Sequence, residues 1–137
     1  MTATKSLTFL LMDAPYEQAR TATAFRLIDA ALRRDFAVRV FAYEGAVSLS
    51  VTQQKPHANA VHGRSLEEEA HPTPHVWVGS LMQLAAQRGA AFEWVNCGLC
   101  VDERGATEVV TGVRRGSPAD FWKMVSESEN TLVIPTR

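Results

Sequence analysis

Cys97 and Cys100 are the only cysteines of the chain, three positions apart in Trp94-Val95-Asn96-Cys97-Gly98-Leu99-Cys100-Val101-Asp102-Glu103-Arg104-Gly105. A strand-like apolar stretch, Ala90 to Val95, precedes them, and the residues around them read as the opening of a short helical turn. A thiol at such a junction lies near backbone N–H groups and the positive end of a helix dipole. That setting favours thiolate over thiol, and the thiolate is the species that attacks sulfur or binds a metal. The chemistry of the chain is expected here.

The elements that must position this pair follow from periodicity. Leu7 to Met12 is an almost continuous apolar run, as in a strand buried on both faces, and Asp13-Ala14-Pro15-Tyr16 breaks it. Thr21 to Arg34 carries an apolar stripe (Ala22, Phe25, Leu27, Ile28, Ala31, Leu32) near the helical period. Phe36 to Tyr43 reads as a second strand, ended by Glu44-Gly45. Strand, helix and strand in that order make a βαβ unit with parallel pairing. Val78 to Arg88 is again helical, with Gly89 where a C-cap belongs, and Ala91 to Val95 is the third strand. Thr107 to Val113 fits either a short strand or a loop. Ser117-Pro118 opens a helix, with serine as N-cap and proline in the first turn, and Thr131 to Ile134 is a last strand stopped by Pro135. Alternating strands and helices give an α/β fold: a three-layer α/β/α sandwich around a mostly parallel sheet.

One segment departs from this pattern. Residues 48–74 are polar, hold three of the four histidines (His57, His62, His71) and carry Glu67-Glu68-Glu69. We read them as a long surface excursion with a short helix at Ser65 to Ala70, of the kind that is functional, an oligomer contact or disordered. The whole chain, 1–137, is expected to form a single domain around this excursion.

Bulk properties narrow the function classes. An apolar fraction of 46%, a charged fraction of 21% and a formal net charge of -1 are ordinary for a soluble globular protein. They argue against direct binding of nucleic acid or an anionic membrane. Arg33-Arg34 and Arg114-Arg115 are the basic doublets, read as solvated surface. No stretch approaches the ~20 apolar residues of a membrane span, and the start of the chain lacks a signal-peptide pattern. A cytoplasmic location is expected, where paired cysteines serve redox or metal chemistry more often than staples.

Several readings of the pair stand beside one another. The plainest is two buried, incidental cysteines. A thioredoxin-like dithiol fits the Cys-x-x-Cys spacing, but only 37 residues (137 minus 100) follow Cys100, too few for the rest of that sheet. A metal site would need histidines, yet all four precede the cysteines, and Pro72 and Pro74 prevent a helix from aligning His71 with His75. There remains a nucleophilic thiolate that carries sulfane sulfur as a persulfide, with a second thiol able to release the outer sulfur by forming a disulfide.

Over Leu7 to Ile134 the sequence resembles the DsrE/TusD family of small sulfur-relay proteins (DsrE/DsrF-like), with 48–74 the poorest match. Three parts carry the resemblance: the loop with Pro15-Tyr16 followed by the helix through Ala24-Phe25; the strand ending Val40-Phe41-Ala42-Tyr43-Glu44-Gly45; and Gln87-Arg88-Gly89, then strand, cysteine and Arg104-Gly105. The resemblance implies a DsrE-like parallel sheet of about five strands. It implies an activity as well: accepting sulfane sulfur on one cysteine and passing it on, in sulfur oxidation or tRNA thiolation. No cofactor and no metal are implied. The partners it implies are small carriers of the TusA type or rhodanese-like proteins, with the chain in a homo- or hetero-oligomer. Cys97 stands eight positions before Gly105 (105 minus 97), as in the family, but about two residues late from Gly89. Cys97 is therefore expected to carry the persulfide, with Cys100 as the resolving or alternative thiol. The other readings are a non-catalytic structural or regulatory subunit of a sulfur-transfer complex, and a thiol redox or metal-binding protein.

Three further residues are expected to line the site. Arg104 could stabilise a thiolate or persulfide anion by charge, or lie free on the surface. Tyr16 and Asp13 leave the first strand on the edge that bears Cys97, where Tyr16 could equally pack its ring and Asp13 could equally be a turn residue. Trp77 and Trp94 are read as core or interface.

Overall fold

Six-residue apolar runs fix the centre of the sheet. In a computed structural model, which describes residues 4–70 and 72–136, β1 (Ser6–Leu11) lies between β2 (Ala37–Ala42) and β5 (Asn130–Ile134). On the far side of β2 follow β3 (Phe92–Cys97) and the short β4 (Arg114–Gly116). All pairings are parallel and the order is β4-β3-β2-β1-β5, a five-stranded sheet as expected. Leu11 pairs with Ala42 and Ala42 with Asn96, so β1, β2 and β3 end at one carboxyl edge. Asp13, Glu44 and Cys97 therefore leave the sheet side by side.

Each face of the sheet has its own core. On one, Phe9, Leu11, Val38, Val40 and Trp94 pack against Phe25, Ile28 and Leu32 of α1 (Arg20–Arg33) and Val78 and Leu81 of α3 (Pro74–Arg88). Phe25 is the pivot, with ring centroids 4.8 Å from Trp77 and 6.1 Å from Trp94. Burial of each such side chain contributes about 1.5–3 kcal/mol before entropy is counted. The other face is smaller: Phe41, Val95 and Cys97 meet Cys100 and Val101 of α4 (Gly98–Arg104) and Met124 of α5 (Pro118–Glu127). The cysteines are thus part of this second core.

Some boundaries move. The third strand runs on to Cys97 rather than stopping at Val95, because Asn96 is held on both sides. It pairs with Ala42, its side chain accepts from Trp94 Nε1 at 3.1 Å, and it donates to Ser50 Oγ at 3.1 Å. The helix expected from Val78 starts at Pro74 with an extended Thr73 before it; proline at the first position, not the apolar stripe, marks its start. Thr107 to Val113 is a connection pinned by an antiparallel bridge between Val51 and Val109, and the strand follows it in Arg114–Gly116. Charged residues suit that strand, which lies at the sheet's edge.

The polar excursion is tied down. The Gln54 amide donates to Ser48 O at 2.8 Å, and Thr52 N–H donates to Glu108 O at 2.8 Å. A short α2 (Leu66–Glu69) starts on a capping box between Ser65 and Glu68. His71 and residues 1–3, which bear on the histidine count and the reading of the N-terminus, lie outside the described residues. Among the described residues no helix is long and apolar enough to cross a membrane.

Candidate functional site

The site is built where β3 turns into α4. Cys97 is both the last residue of the strand and the N-cap of the helix, with extended backbone (φ -61°, ψ 121°), and Cys100 lies within the first turn. Both are free thiols and both are buried, at 2% and 6% exposure. The Cys97 and Cys100 side chains pack in the same buried cluster, and Cys100 Sγ accepts from the Glu44 backbone N–H at 3.1 Å.

That last contact depends on the turn after β2, a 3-10 helix over Glu44–Ser48. Glu44 takes a left-handed conformation (φ 51°), which costs a non-glycine residue of order 1 kcal/mol, and its N–H faces the thiol. Gly45 lies hard against the loop after β1: a β-carbon there would come 2.8 Å from Ala14 N. The Tyr43-Glu44-Gly45 stretch thus binds the ends of β1, β2 and β3 together.

Electrostatics at Cys100 differ from the expectation of a thiolate. Burial pushes the Cys100 thiol above its ordinary value, and the contact with Cys97 pushes the same way. The Glu44 N–H and the Arg104 charge pull it down, but less. Seven helical residues with the thiol inside the apolar face do not offset desolvation, so at rest Cys100 is a protonated thiol.

The other expected residues divide. The Arg104 guanidinium approaches Cys100 O at 3.5 Å and lines a cavity of about 380 Å³ with Pro15, Ser48 and Gln54, so it stands beside the pair. Asp13 is buried at 8% exposure, and its Oδ2 has no hydrogen-bond partner among the described residues, unlike a solvated turn residue. Such an atom costs about 1–3 kcal/mol. Tyr16 has moved elsewhere. Its backbone is left-handed (φ 69°), its side chain is 63% exposed, and its ring meets His57 edge-on at 6.2 Å. It lines a second, apolar cavity of about 260 Å³ with Phe25, Pro74 and Trp77.

Two residues enter that sequence analysis did not single out for the site. Arg115 forms a bidentate pair with Asp102 (2.7 and 2.8 Å), and its guanidinium rests on Gly98, next to Cys97. The β3–β4 register, which sets Arg115 opposite Asn96 and Gly116 opposite Cys97, places it there. No spacing in the sequence signals that pairing. Among the described residues no three His, Cys, Asp or Glu side chains are grouped to hold a metal.

The sequence profile of the DsrE/DsrF-like family matches residues 5–134. The chain belongs to that family. Two solved structures share the DsrE-like fold. The ychN protein of E. coli superposes with a TM-score of 0.69 at 17% identity, covering 95% of this chain and 99% of that one. BT1422 of Bacteroides thetaiotaomicron, described as a conserved protein of unknown function, gives 0.58 at 12% identity, with 95% of each chain covered. At these identities the likeness is one of fold. A comparison with curated proteins finds no match.

Proposed function

We propose that this DsrE/DsrF-like protein is a sulfur relay of the cytoplasm. It accepts sulfane sulfur on Cys97 as a persulfide and passes it to a partner protein. The family is associated with sulfur relay, and the observation that carries the reading to residues is the contact between two free thiols at the carboxyl edge of β1–β3. Cys97, at the strand end, is the carrier. Cys100 is the resolving thiol. In the release step its sulfur attacks the inner sulfur of Cys97–S–S⁻, a Cys97–Cys100 disulfide forms, and the outer sulfur leaves as hydrosulfide with the electron pair. A cellular dithiol reductant then restores the pair. Without that step the persulfide passes intact to an acceptor thiolate of a TusA-type or rhodanese-like carrier, and the chain works within a homo- or hetero-oligomer.

Intact-protein mass spectrometry tests the reading. The reduced chain, Cys97→Ser and Cys100→Ser are each exposed to a sulfane-sulfur donor. The expected result is one added sulfur on Cys100→Ser, none on Cys97→Ser, and on the wild type one added sulfur or, after release, the Cys97–Cys100 disulfide. Loss of loading in Cys100→Ser alone would reassign the carrier. No adduct on any of the three, with the fold intact, would overturn the relay and favour a structural or regulatory subunit.

A further inference from the structure

Arg115 is an exposed arginine with an unusual resting place. A β-carbon on Gly98 would lie 2.5 Å from its Nε, 2.8 Å from Cζ and 2.9 Å from Nη2, so the guanidinium occupies the space where any side chain after Cys97 would stand. Its fork is filled by the Asp102 carboxylate, through Nη1–Oδ1 at 2.7 Å and Nη2–Oδ2 at 2.8 Å. Both partners are 56% exposed, and an exposed pair of this kind adds little stability and is easily exchanged. Beside it lies a cavity of about 220 Å³ with Asn96, Val101, Thr107 and Arg115 in its wall. Asn96 and Val101 are the residues that bracket the cysteine segment.

From this geometry we infer that Arg115 is the recognition group for an anionic sulfane-sulfur donor, of the thiosulfate or organic thiosulfonate class, which enters this cavity and takes the place of the Asp102 carboxylate on the guanidinium fork. A guanidinium matches the paired oxygens of a sulfonate as it matches those of a carboxylate. Once the fork turns to the donor it leaves Gly98, and the space over the Cys97–Gly98 junction opens. This rests on the proposal that Cys97 accepts sulfur. In the transfer, the Cys97 proton is first lost to solvent. The thiolate then attacks the outer sulfur of thiosulfate, a Cys97–S–S bond forms, the sulfur–sulfur bond of the donor breaks, and sulfite leaves with the electron pair on the guanidinium. Charge is conserved at three negative units on each side.

Two measurements on the reduced, full-length chain and Arg115→Gln test this. The first compares initial rates of persulfide formation from thiosulfate and from a neutral organic trisulfide, read by intact mass. The expected result is a loss of tenfold or more with thiosulfate and a change within twofold with the trisulfide. The second needs no sulfur transfer: Cys97 is alkylated, in a Cys100→Ser background, by anionic iodoacetate and neutral iodoacetamide. Arg115→Gln is expected to lower the iodoacetate-to-iodoacetamide rate ratio at least threefold, and Arg115→Lys to restore part of it. Equal losses with charged and neutral reagents, or no loss with either, would overturn the anion-recognition role. If wild type takes sulfur from no donor while the alkylation ratio still depends on Arg115, the relay fails and the anion subsite stands.

Discussion

A buried thiol that must ionise to react carries a conflict between packing and chemistry, and Cys100 shows how it is resolved here. Desolvation and the neighbouring Cys97 thiol raise its pKa, while the Glu44 N–H and Arg104 oppose the rise. The group is therefore held neutral in the folded chain and ionises more readily when unfolded. The folded state binds more protons than the unfolded one above the ordinary thiol value of about 8.5, so unfolding free energy falls with rising pH from there until the folded pKa is passed. Below about 8.5 the contribution is fully present. Urea unfolding across pH 7 to 10 should show a steeper alkaline decline for wild type than for Cys100→Ala, with a constant difference near neutrality. Parallel curves would contradict a raised folded pKa. The sequence made the two cysteines conspicuous, but the sign of this shift was not legible in it. It depends on how deeply the thiol is buried in the second core, where Phe41, Val47 and Met124 come from distant segments, and this outweighs the opposing Glu44 N–H. Asp13 has the same character: its place after β1 was readable, its burial with one oxygen unpaired was not. Violations of the usual rules for buried polar groups gather at functional edges, and this one lies at the edge that bears the cysteines.

Elements were legible in proportion to how locally they are specified. The start of α5 is written in three residues. Ser117 caps the helix, accepting from Ala119 N–H at 3.3 Å, Pro118 occupies its first turn, and Asp120 Oδ2 accepts from Ser117 N–H at 2.8 Å. Ser117→Ala removes one half of that reciprocal cap and should cost about 1 kcal/mol of unfolding free energy in denaturant titration. The effect should not stay local, because Asp120 also engages Arg114 of β4, and β4 pairs with the end of β3 at Cys97. A loss under about 0.3 kcal/mol would mean the cap is redundant. By contrast β4 itself, Arg114-Arg115-Gly116, has no apolar pattern to betray a strand. It exists because Gly116 can lie against Val95, where a β-carbon would come within 2.6 Å of the Val95 Cγ1 atom, and because its arginines find Glu93, Asp120 and Asp102. In the sequence the basic doublet reads as solvated surface; its partners come from β3, α4 and α5, and only the folded sheet brings them together.

At the scale of the molecule, the two faces of the sheet are unequal. One is covered by the long helices α1 and α3; the other by seven-residue α4 and ten-residue α5, and it is this lighter side that buries both thiols. Fold class followed from alternation in the sequence, and the count of five strands from the family resemblance. Which face the cysteines enter did not, since it depends on Cys97 continuing β3 by two residues beyond the apolar run. Access to Cys97 must come from local opening at this side, and the groups fastening it, Arg115 to Asp102 and Arg114 to Glu93 and Asp120, are exposed ion pairs. Salt weakens such pairs, with a screening length of roughly 3 Å at 1 M, and leaves apolar burial in the larger core intact. Raising sodium chloride from 0.05 to about 1 M should therefore speed alkylation of Cys97 by neutral iodoacetamide severalfold, while the urea midpoint changes little. The neutral reagent is required, because salt would also screen an anionic one from Arg115. If alkylation is insensitive to salt, or rises only in step with global unfolding, the thiols are guarded by the core as a whole and not by the arginines at its rim.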